Sequence, residues 1–461
     1  MSVFSEILAH ETGSFPVKTK VPPTTVHGAI FVEKLPTMEA LTTLWRTKAF
    51  TQERFISTLV MDPIKQKYMF VPVEGEVDLE GHHFIQTTVD SEDGVRAYVE
   101  STFSRDWVAE IRAGRPLWYL HIIENTTGLS AIVLEFHHAI GDGMSLVMFF
   151  SSLYTDENGN ELPLPSTAKT APVSKRQKKV HPVYKAVYQA LLVARGFFKI
   201  VLGSLMWTDS PTKIKGHSHI NHVHGGSRKI FQLPPLNLEA VKAIKSKLGC
   251  SVNDVVTSAL AGAIRRYLKY RNDPYVDSPF LQIRALMPYA FPRMPPAPDS
   301  VDAAHMLHNG WTVISVPLAV RITRNAAARV RQTKAIIDTI KVSAEPYIAT
   351  ALQNLVYNVA GYTVAAQITA DFYLRHTITF TNVPAFAEKP YICGQRVELI
   401  QPYVSNAIPQ LSVVSCAGVL YGNFCVDPEV FQEGDALGKF LVRELEQLAD
   451  ETGVSDKVLM A

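Results

Sequence analysis

The strongest constraint on this chain is the motif His-His-Ala-Ile-Gly-Asp-Gly at residues 137–143, which directly follows a mainly apolar run. That run, Ala131–Phe136, has the length and composition of a buried strand, and Met144–Leu153 is apolar enough to form a core helix. The motif is therefore expected in a strand-to-helix turn, where a side chain is held rigidly and still faces a cavity. A neutral imidazole there can accept a proton near neutral pH, because its reference pKa is about 6.5.

The histidine pair has two other possible interpretations. Histidines and an aspartate beside a turn often form only a helix cap and a satisfied polar cluster, but here the Asp-Gly that follows and the strand before the pair favour a reactive site. A zinc site is disfavoured, because adjacent residues on a strand point to opposite faces, so that His137 and His138 could not easily share one ion. The sequence also lacks His-Glu-x-x-His and Cys-x-x-Cys spacings. We therefore expect no metal, one reactive histidine and one structural histidine.

Length and composition indicate a large globular protein. A chain of 461 residues, 47% hydrophobic and 19% charged, suits two lobes better than one ordinary core. Its four widely spaced cysteines favour a reduced compartment. Residues 1–19 lack the apolar segment of a secretory signal, and no stretch reaches the roughly 18 apolar residues of a spanning helix. We expect a soluble or peripherally attached protein on the cytoplasmic side, on the endoplasmic reticulum or another membrane.

The charge distribution is uneven. Residues 162–207 contain no Asp or Glu but several Lys and Arg, beginning in a proline-rich stretch that reads as a linker. From residue 183 to 207 the pattern is that of a basic amphipathic helix, which is typical of an interfacial anchor on anionic lipid. A helix packed between the lobes is an equally open alternative. Nucleic-acid binding is not expected, because the basic cluster is short and lacks interleaved aromatic residues.

Strand and helix patterns divide the chain into three units. These are an N-terminal lobe at residues 1–155, which carries the motif, a basic linker at 156–227 and a C-terminal lobe at 228–461. Helices and strands alternate irregularly, which favours a mixed α/β fold. Ser251 is expected to cap a helix that runs to Tyr270. The expected strands are Val26–Val32, His83–Val89, Leu117–Ile123, Lys229–Leu233, Ile283–Pro288, Trp311–Pro317, His376–Phe380 and Leu411–Gly418.

Several segments carry a family resemblance. Residues 136–143 resemble the active-site signature of the CoA-dependent acyltransferase superfamily, and the surroundings resemble its wax ester synthase/diacylglycerol acyltransferase branch. Before Arg115 little of the family's opening signature is present, and Thr381 and Ala385 replace the usual serine and glycine of its Ser-Asn-Val-Pro-Gly turn. The resembling segments, in the family's order, are Arg115–Trp118, Ser251–Val256, Arg265–Leu268, Arg284–Pro288, Asn309–Val313 and Thr381–Pro384.

The resemblance implies a fold and a mechanism. The fold is the two-lobed, chloramphenicol-acetyltransferase-like α/β fold with mixed sheets and a channel between the lobes. His138 would be the general base that takes the proton of an alcohol as its oxygen attacks an acyl-CoA thioester. Both substrates would meet in one channel without an acyl-enzyme, with acyl-CoA as co-substrate and no cofactor.

The resemblance also assigns supporting residues. Asp142 would be structural and paired with Arg284, while Gly143, lacking a Cβ, would let the backbone approach the acyl carbonyl. Asn382 is expected on a turn that faces the channel, where it could stabilise an oxyanion or only the turn itself. His137 is interpreted as structural.

The leading functional prediction is transfer of a long-chain acyl group from acyl-CoA to a fatty alcohol or diacylglycerol, giving wax esters or triacylglycerol. The expected partners are acyl-CoA, a hydroxyl-bearing lipid and a peripheral membrane or lipid-droplet surface. Two alternatives remain: a short-chain alcohol acetyltransferase of the same superfamily, and a catalytically idle lipid-surface protein. The sequence leaves the acceptor, the chain length and the oligomeric state open.

Overall fold

A computed structural model describes residues 25–65, 67–162, 190–191, 193–198, 200, 203, 206–215, 227–291, 307–322, 325–431 and 433–460. Its strands are β1 (Thr25–Val32), β2 (Ser57–Asp62), β3 (Lys67–Pro72), β4 (Phe84–Val89), β5 (Trp118–Asn125), β6 (Ser130–His137), β7 (Lys229–Gln232), β8 (Leu236–Asn237), β9 (Arg284–Ala290), β10 (Trp311–Pro317), β11 (Ile378–Pro384), β12 (Tyr391–Ile392), β13 (Gln395–Val404), β14 (Gln410–Cys416) and β15 (Val419–Val426). The labelled helices are α1 (Met38–Thr47), α2 (Glu92–Thr102), α3 (Trp107–Arg112), α4 (Gly143–Leu153), α5 (Leu238–Leu248), α6 (Val252–Tyr270), α7 (Ala326–Lys341), α8 (Glu345–Leu374) and α9 (Gly434–Thr452).

The molecule is built on two mixed sheets, which confirms the predicted α/β class. The first sheet has the order β12-β13-β1-β6-β5-β4, with all pairs antiparallel except β4 with β5. The second has the order β10-β9-β11-β14-β15-β7, in which β11 runs parallel to both of its neighbours. We call each sheet with its covering helices a lobe.

The motif strand β6 lies near the middle of the first sheet, and all eight of its residues are buried. One face of this sheet packs on an aromatic core, and the other is covered by α2. A strand buried on both faces reads as a nearly continuous apolar run, which is why the sequence predicted it. The core-forming aromatic side chains include Trp45, Phe55, Trp118 and Phe149.

Strand β13 joins the two lobes. It comes from the later half of the chain, yet it pairs with β1 along most of its length, from Val26 opposite Val404 to Val32 opposite Val397. It also lies against β14 and β15 of the second sheet. The expected lobe boundary at residue 228 therefore does not separate the two sheets, because β12 and β13 complete the first one.

Most of the expected basic linker lies outside the described residues. Residues 190–191 and 193–198 are helical, and a Cβ atom at Gly196 would lie 3.1 Å from Cδ1 of Ile348, so this helix packs against the beginning of α8. Residues 207–215 belong to the second lobe, where Ile214 is fully buried. None of the described helices combines the length and hydropathy that crossing a membrane requires.

Other expectations about local structure can be compared with the fold. Ser251 caps α6 as predicted: its hydroxyl accepts a hydrogen bond from Asp254 N–H, and the Asp254 carboxylate accepts one from Ser251 N–H. The eight predicted strands overlap β1, β4, β5, β7, β9, β10, β11 and β14. The sequence did not predict α7 or α8, and α8 is broken at Gly361, where φ is 77° and ψ is 178°.

Candidate active site

A cavity of about 520 Å³ lies between the two sheets. Small-molecule sites typically enclose roughly 300–1,000 Å³ and are lined mainly by apolar groups with a few polar ones. The wall follows this pattern, with β1 and α4 on one side and β10, β11 and α8 on the other. Its apolar members include Phe150, Val313, Ile337, Ala370, Leu374 and Val414.

His138 lies in the wall of this cavity, one residue after the end of β6. Its half-buried ring lies over Trp311, with 5.7 Å between ring centroids and an interplanar angle of 31°. Burial lowers the pKa of His138 below 6.5, while its own main-chain carbonyl, Asp142 and Asn309 act in the opposite direction. The imidazole is therefore neutral at neutral pH and able to accept a proton.

His137 lies on the other side of the chain. Its ring is fully buried, contacts Trp107 edge-on at 5.9 Å between centroids, and accepts a hydrogen bond at Nδ1 from Ala139 N–H at 3.2 Å. Burial lowers the pKa of His137 to about 3, and the neighbouring His138 contributes in the same direction. A ring held in this way orders the turn and has no path to a substrate in the cavity.

Asp142 fastens the motif turn to the second lobe. Its Oδ1 atom accepts a hydrogen bond from Ser145 N–H at 2.9 Å, which caps α4, and its Oδ2 atom accepts one from Gly310 N–H at 2.8 Å. The main-chain N–H of Asp142 donates to the carbonyl of His308 at 3.3 Å. The carboxylate therefore serves both as a helix cap and as an acceptor across the interface between the lobes.

The expected pair of Asp142 with Arg284 is wrong. Arg284 begins β9, and its guanidinium Nε donates to Oδ1 of Asp209 at 2.6 Å, both side chains being buried. The same guanidinium also donates to the carbonyls of Gly203, Trp207 and Arg375. Arg284 therefore stabilises the packing of Gly203, Trp207 and Asp209 on the second lobe.

Two residues that the sequence did not single out hold the carbonyls of the motif turn. Nδ2 of Asn309 donates to the carbonyl of His138 at 2.9 Å. Nη1 of Arg54 donates to the carbonyls of Ala139 and Ile140, each at 2.8 Å. Asn309 belongs to the segment Asn309–Val313, whose resemblance to the family could have indicated it as a site residue. The sequence around Arg54 contains no such indication.

Gly143 and Asn382 both line the cavity. Gly143 is the first residue of α4, and a Cβ atom there would lie 3.6 Å from Cγ2 of Val383, so the two lobes approach closely at this point. Asn382 was expected on a turn, but it lies within strand β11, opposite Val413 of β14. The resembling Thr-Asn-Val-Pro segment is thus the end of a strand, which carries Asn382 along the cavity wall.

The described residues contain no group of three or more His, Cys, Asp or Glu side chains suited to holding a metal ion. At the motif they provide instead the neutral imidazole of His138, stacked on the indole ring of Trp311. The amide of Asn309 and the carboxylate of Asp142, which accepts from a main-chain N–H, complete the set. This set can accept and return a proton beside a mainly apolar cavity.

The fold and this site define a protein of the two-lobed CoA-dependent acyltransferase type. The structure aligns over 95% of the chain with 97% of the wax ester synthase/diacylglycerol acyltransferase from Marinobacter aquaeolei VT8, with a TM-score of 0.60 and 19% identity. It aligns over its whole length with 97% of the first condensation domain of the calcium-dependent antibiotic synthetase, with a TM-score of 0.59 and 13% identity. Because these sequence identities are low, the structural similarity establishes the fold and not the activity.

Sequence comparison identifies the family. The wax ester synthase/diacylglycerol acyltransferase catalytic domain matches residues 109–256, and the C-terminal domain of the same family matches residues 308–449. Wax ester synthase/diacylglycerol acyltransferase 5 of Arabidopsis thaliana is 24% identical over 416 residues, which cover 82% of this chain and 81% of that protein. A probable diacylglycerol O-acyltransferase of Mycobacterium tuberculosis is 28% identical over 206 residues, 43% of this chain and 45% of that protein. The chain belongs to this family of acyl-CoA-dependent O-acyltransferases, which confirms the resemblance.

Proposed function

We propose that the protein transfers a long-chain acyl group from acyl-CoA to the hydroxyl of a fatty alcohol or diacylglycerol, with His138 as general base. The ring takes the hydroxyl proton as the acceptor oxygen forms a bond to the thioester carbonyl carbon. As the tetrahedral intermediate collapses, the carbon–sulfur bond breaks and the same proton passes to the departing thiolate. The products are an ester and free CoA, and no group of the protein is acylated.

The observation that carries this proposal is the placement of His138, neutral and rigidly held, in the wall of a mainly apolar cavity. Its Nδ1 atom is buried, so a substrate cannot reach it. The ring nitrogen that would accept the hydroxyl proton is therefore Nε2. Hydrogen bonds to the three successive carbonyls of residues 138–140 hold the turn that carries the ring. Such positioning supplies much of the rate when two substrates react directly.

The size of the cavity favours long-chain acyl transfer over short-chain acetyl transfer. A volume of about 520 Å³ far exceeds the space that an acetyl group and a small alcohol fill. The apolar wall would stabilise each buried CH₂ group by about 0.8 kcal/mol, so affinity should rise with chain length. Asn382, within the same wall, is a candidate donor to the developing oxyanion.

The test measures CoA release from acyl-CoA of 2 to 18 carbons, with short alcohols, hexadecanol and diacylglycerol as acceptors. We expect acceptor-dependent release that increases with acyl length, and its loss in His138→Ala. The matched control is His308→Ala, because the side chain of His308 is exposed and its carbonyl is what contacts the motif turn. Retained activity in His138→Ala would refute the general-base role, and the absence of release with every acceptor would favour the idle lipid-surface protein.

We further propose that the protein docks peripherally on an anionic membrane or lipid-droplet surface, at the cytoplasmic face of the endoplasmic reticulum or another membrane. The helical residues 190–191 and 193–198 expose Leu191, Val193, Phe197 and Phe198, beside the exposed cation Arg195. They pack on α8, whose residues 346–370 include no charged side chain. An exposed apolar surface next to basic residues suits a bilayer that carries negative charge.

Flotation with vesicles tests this docking. We expect the protein to float with vesicles that contain phosphatidylserine and less with neutral phosphatidylcholine, because the lysines and arginines of residues 162–207 favour anionic lipid. The double substitution Phe197→Ser and Phe198→Ser should abolish flotation. Phe280→Ser is the matched control, because Phe280 is also highly exposed but lies elsewhere, in the loop before β9. Equal flotation of both variants would contradict the proposed surface.

A further inference from the structure

The wall of the cavity follows one face of helix α4, leading away from His138. Residues three or four positions apart share a face of a helix, and cavity-lining residues recur at this spacing from the first residue of α4 to the residue that caps its end. They include Gly143, Val147, Phe150 and Tyr154. The cavity therefore extends from the motif turn along the length of α4.

The ring of Phe150 lies against strand β1 because residue 28 has no side chain. A Cβ atom at Gly28 would lie 2.9 Å from Cζ of Phe150 and 3.2 Å from its Cε2, and the first distance is shorter than Cβ contacts in proteins allow. The φ angle of Gly28 is not positive, so the backbone would accept another residue. Glycine inside a strand often marks such a close approach. What requires glycine at this position is the ring of Phe150.

The ring borders the cavity and is held from one side. Phe150 and Gly28 are both half-buried and both line the cavity, so a ligand there can contact them. Tyr154 stacks on Phe150, with 5.8 Å between ring centroids and an interplanar angle of 6°. Tyr154 is itself buried and contacts Phe386 edge-on at 5.4 Å. A group added at residue 28 would therefore displace the ring into the cavity, because Tyr154 blocks the other side.

Two independent distances place this contact relative to the reacting centre. Phe150 follows Gly143 by seven residues of helix, which span about 10 Å. Gly28 lies opposite Leu134, four residues before His138, which corresponds to about 13 Å along the strand. An extended hydrocarbon chain covers this distance with about eight to ten carbon atoms.

We infer that Phe150, resting on Gly28, is a specificity-determining residue that contacts the hydrocarbon chain of a lipid substrate about eight to ten carbon atoms from the reacting carbonyl. The inference rests on the proposed acyl transfer, in which both the acyl-CoA and the acceptor carry such a chain. A shorter chain ends before it reaches the ring, whereas a longer chain must pass over it. The position of the ring therefore affects long chains selectively.

The test moves the ring by means of Gly28→Ala and the larger Gly28→Val. The kcat/KM of each variant is divided by that of the wild type, for acyl-CoA of 4 to 18 carbons with hexadecanol as acceptor. This ratio should stay level up to about eight carbons and fall beyond that length. The fall should reach at least about fourfold in Gly28→Ala, the factor for one CH₂ group excluded from an apolar wall, and more in Gly28→Val.

A second series identifies which chain the ring contacts. Here palmitoyl-CoA is fixed and the acceptor is an alcohol of 4 to 18 carbons. A fall beyond about eight carbons in the acyl-CoA series assigns the contact to the acyl chain, and a fall in the alcohol series assigns it to the acceptor. A level ratio in both series, or an equal fall at every length, overturns the inference.

Two controls separate the ring from the packing around it. In a Phe150→Ala background, adding Gly28→Ala should cause no length-dependent fall, because no ring is left to displace. Met148→Ala removes another half-buried apolar side chain from α4, but one outside the cavity wall, and its ratio should stay level. If Gly28→Ala causes the same fall without the ring, or Met148→Ala reproduces it, the effect belongs to packing and the inference fails.

A binding measurement separates failure of this inference from failure of the proposed function. The melting temperature of His138→Ala is measured with palmitoyl-CoA, hexadecanol or hexanoyl-CoA, in the presence and absence of Gly28→Val. At least one of the two long ligands should give a smaller shift in the double variant, and hexanoyl-CoA should not, because binding does not need the base. Equal shifts with both long ligands overturn the role of Phe150, whereas absence of turnover in the wild-type protein bears on the proposed reaction.

Discussion

Replacing Asp142 by alanine should destabilise the fold and disturb the site together. The carboxylate joins the first turn of α4 to the second lobe, because its two oxygens accept from Ser145 N–H and Gly310 N–H. Ser145 is fully buried and Gly310 is half-buried, so water replaces the lost acceptor poorly. The motif turn would then lose one of its links to residues 308–310.

The size of the effect follows from these two bonds. Loss of an N-cap aspartate costs about 1 kcal/mol, and leaving a buried N–H without an acceptor costs about 1–3 kcal/mol. Asp142→Ala should therefore lower the free energy of unfolding by about 2–4 kcal/mol. Asparagine caps helices as well as aspartate and keeps one acceptor oxygen, so Asp142→Asn should cost about 1 kcal/mol. Displacement of His138 by about 1 Å would lower the rate about 100-fold in Asp142→Ala.

Urea unfolding and CoA release measure these effects. The decisive comparison is a double-mutant cycle with Arg284→Met. Arg284 pairs with Asp209 and not with Asp142, so the two losses of unfolding free energy should add within about 0.5 kcal/mol. A coupling above about 1 kcal/mol between Asp142 and Arg284, or wild-type stability of Asp142→Ala, would refute this reasoning.

Three further outcomes are expected. Because burial lowers the pKa of His138, the acid limb of the kcat/KM profile should have its midpoint below pH 6.5, and a midpoint above 7 would contradict the assignment. Arg54→Met should cost about 2 kcal/mol in urea unfolding and lower kcat at least tenfold, because the carbonyls of the motif turn lose a charged donor. Burial lowers the pKa of His27 and His137 to about 3, so only the unfolded chain binds protons there as pH falls from about 6.5 towards 3. The free energy of unfolding, at its full value above pH 6.5, should then fall by about 3 kcal/mol per pH unit between pH 6 and 4, because both histidines contribute. A urea midpoint independent of pH would contradict this.

The local features of the site could be read from the sequence. Strand β6 and helix α4 follow from a buried run before the motif and an apolar run after it, and the capping of α6 follows from Ser251. Each of these signals lies within a few consecutive residues, where periodicity and capping act.

The partners of the site could not be read in this way. Asp142 binds the main-chain N–H of Gly310, and a main-chain donor has no side-chain identity that a pattern could reveal. The family resemblance implied Arg284 instead, but the partner of that arginine is Asp209, which closely follows the basic stretch. Arg54 acts through two main-chain carbonyls from a short 3-10 turn, and nothing local marks that turn as close to the motif.

Two elements escaped prediction for different reasons. Strand β13 contains Pro402, and proline within a run argues against a paired strand; here it lies opposite Gly28 of β1. Helix α8 has no charged residue from 346 to 370, so it lacks the alternation of apolar and charged faces from which an amphipathic helix is identified.

The position of β13 has a consequence for synthesis of the chain. Strand β1 is complete at Val32, but the strand that pairs with its outer edge begins at Gln395. At about 5–20 residues per second, the ribosome needs roughly 20–70 seconds to make the intervening chain. During that time one edge of β1 is open to strands of other chains. A fragment that ends near residue 155 should therefore aggregate and lack activity, and a chaperone acting on the nascent protein would be needed most at β1.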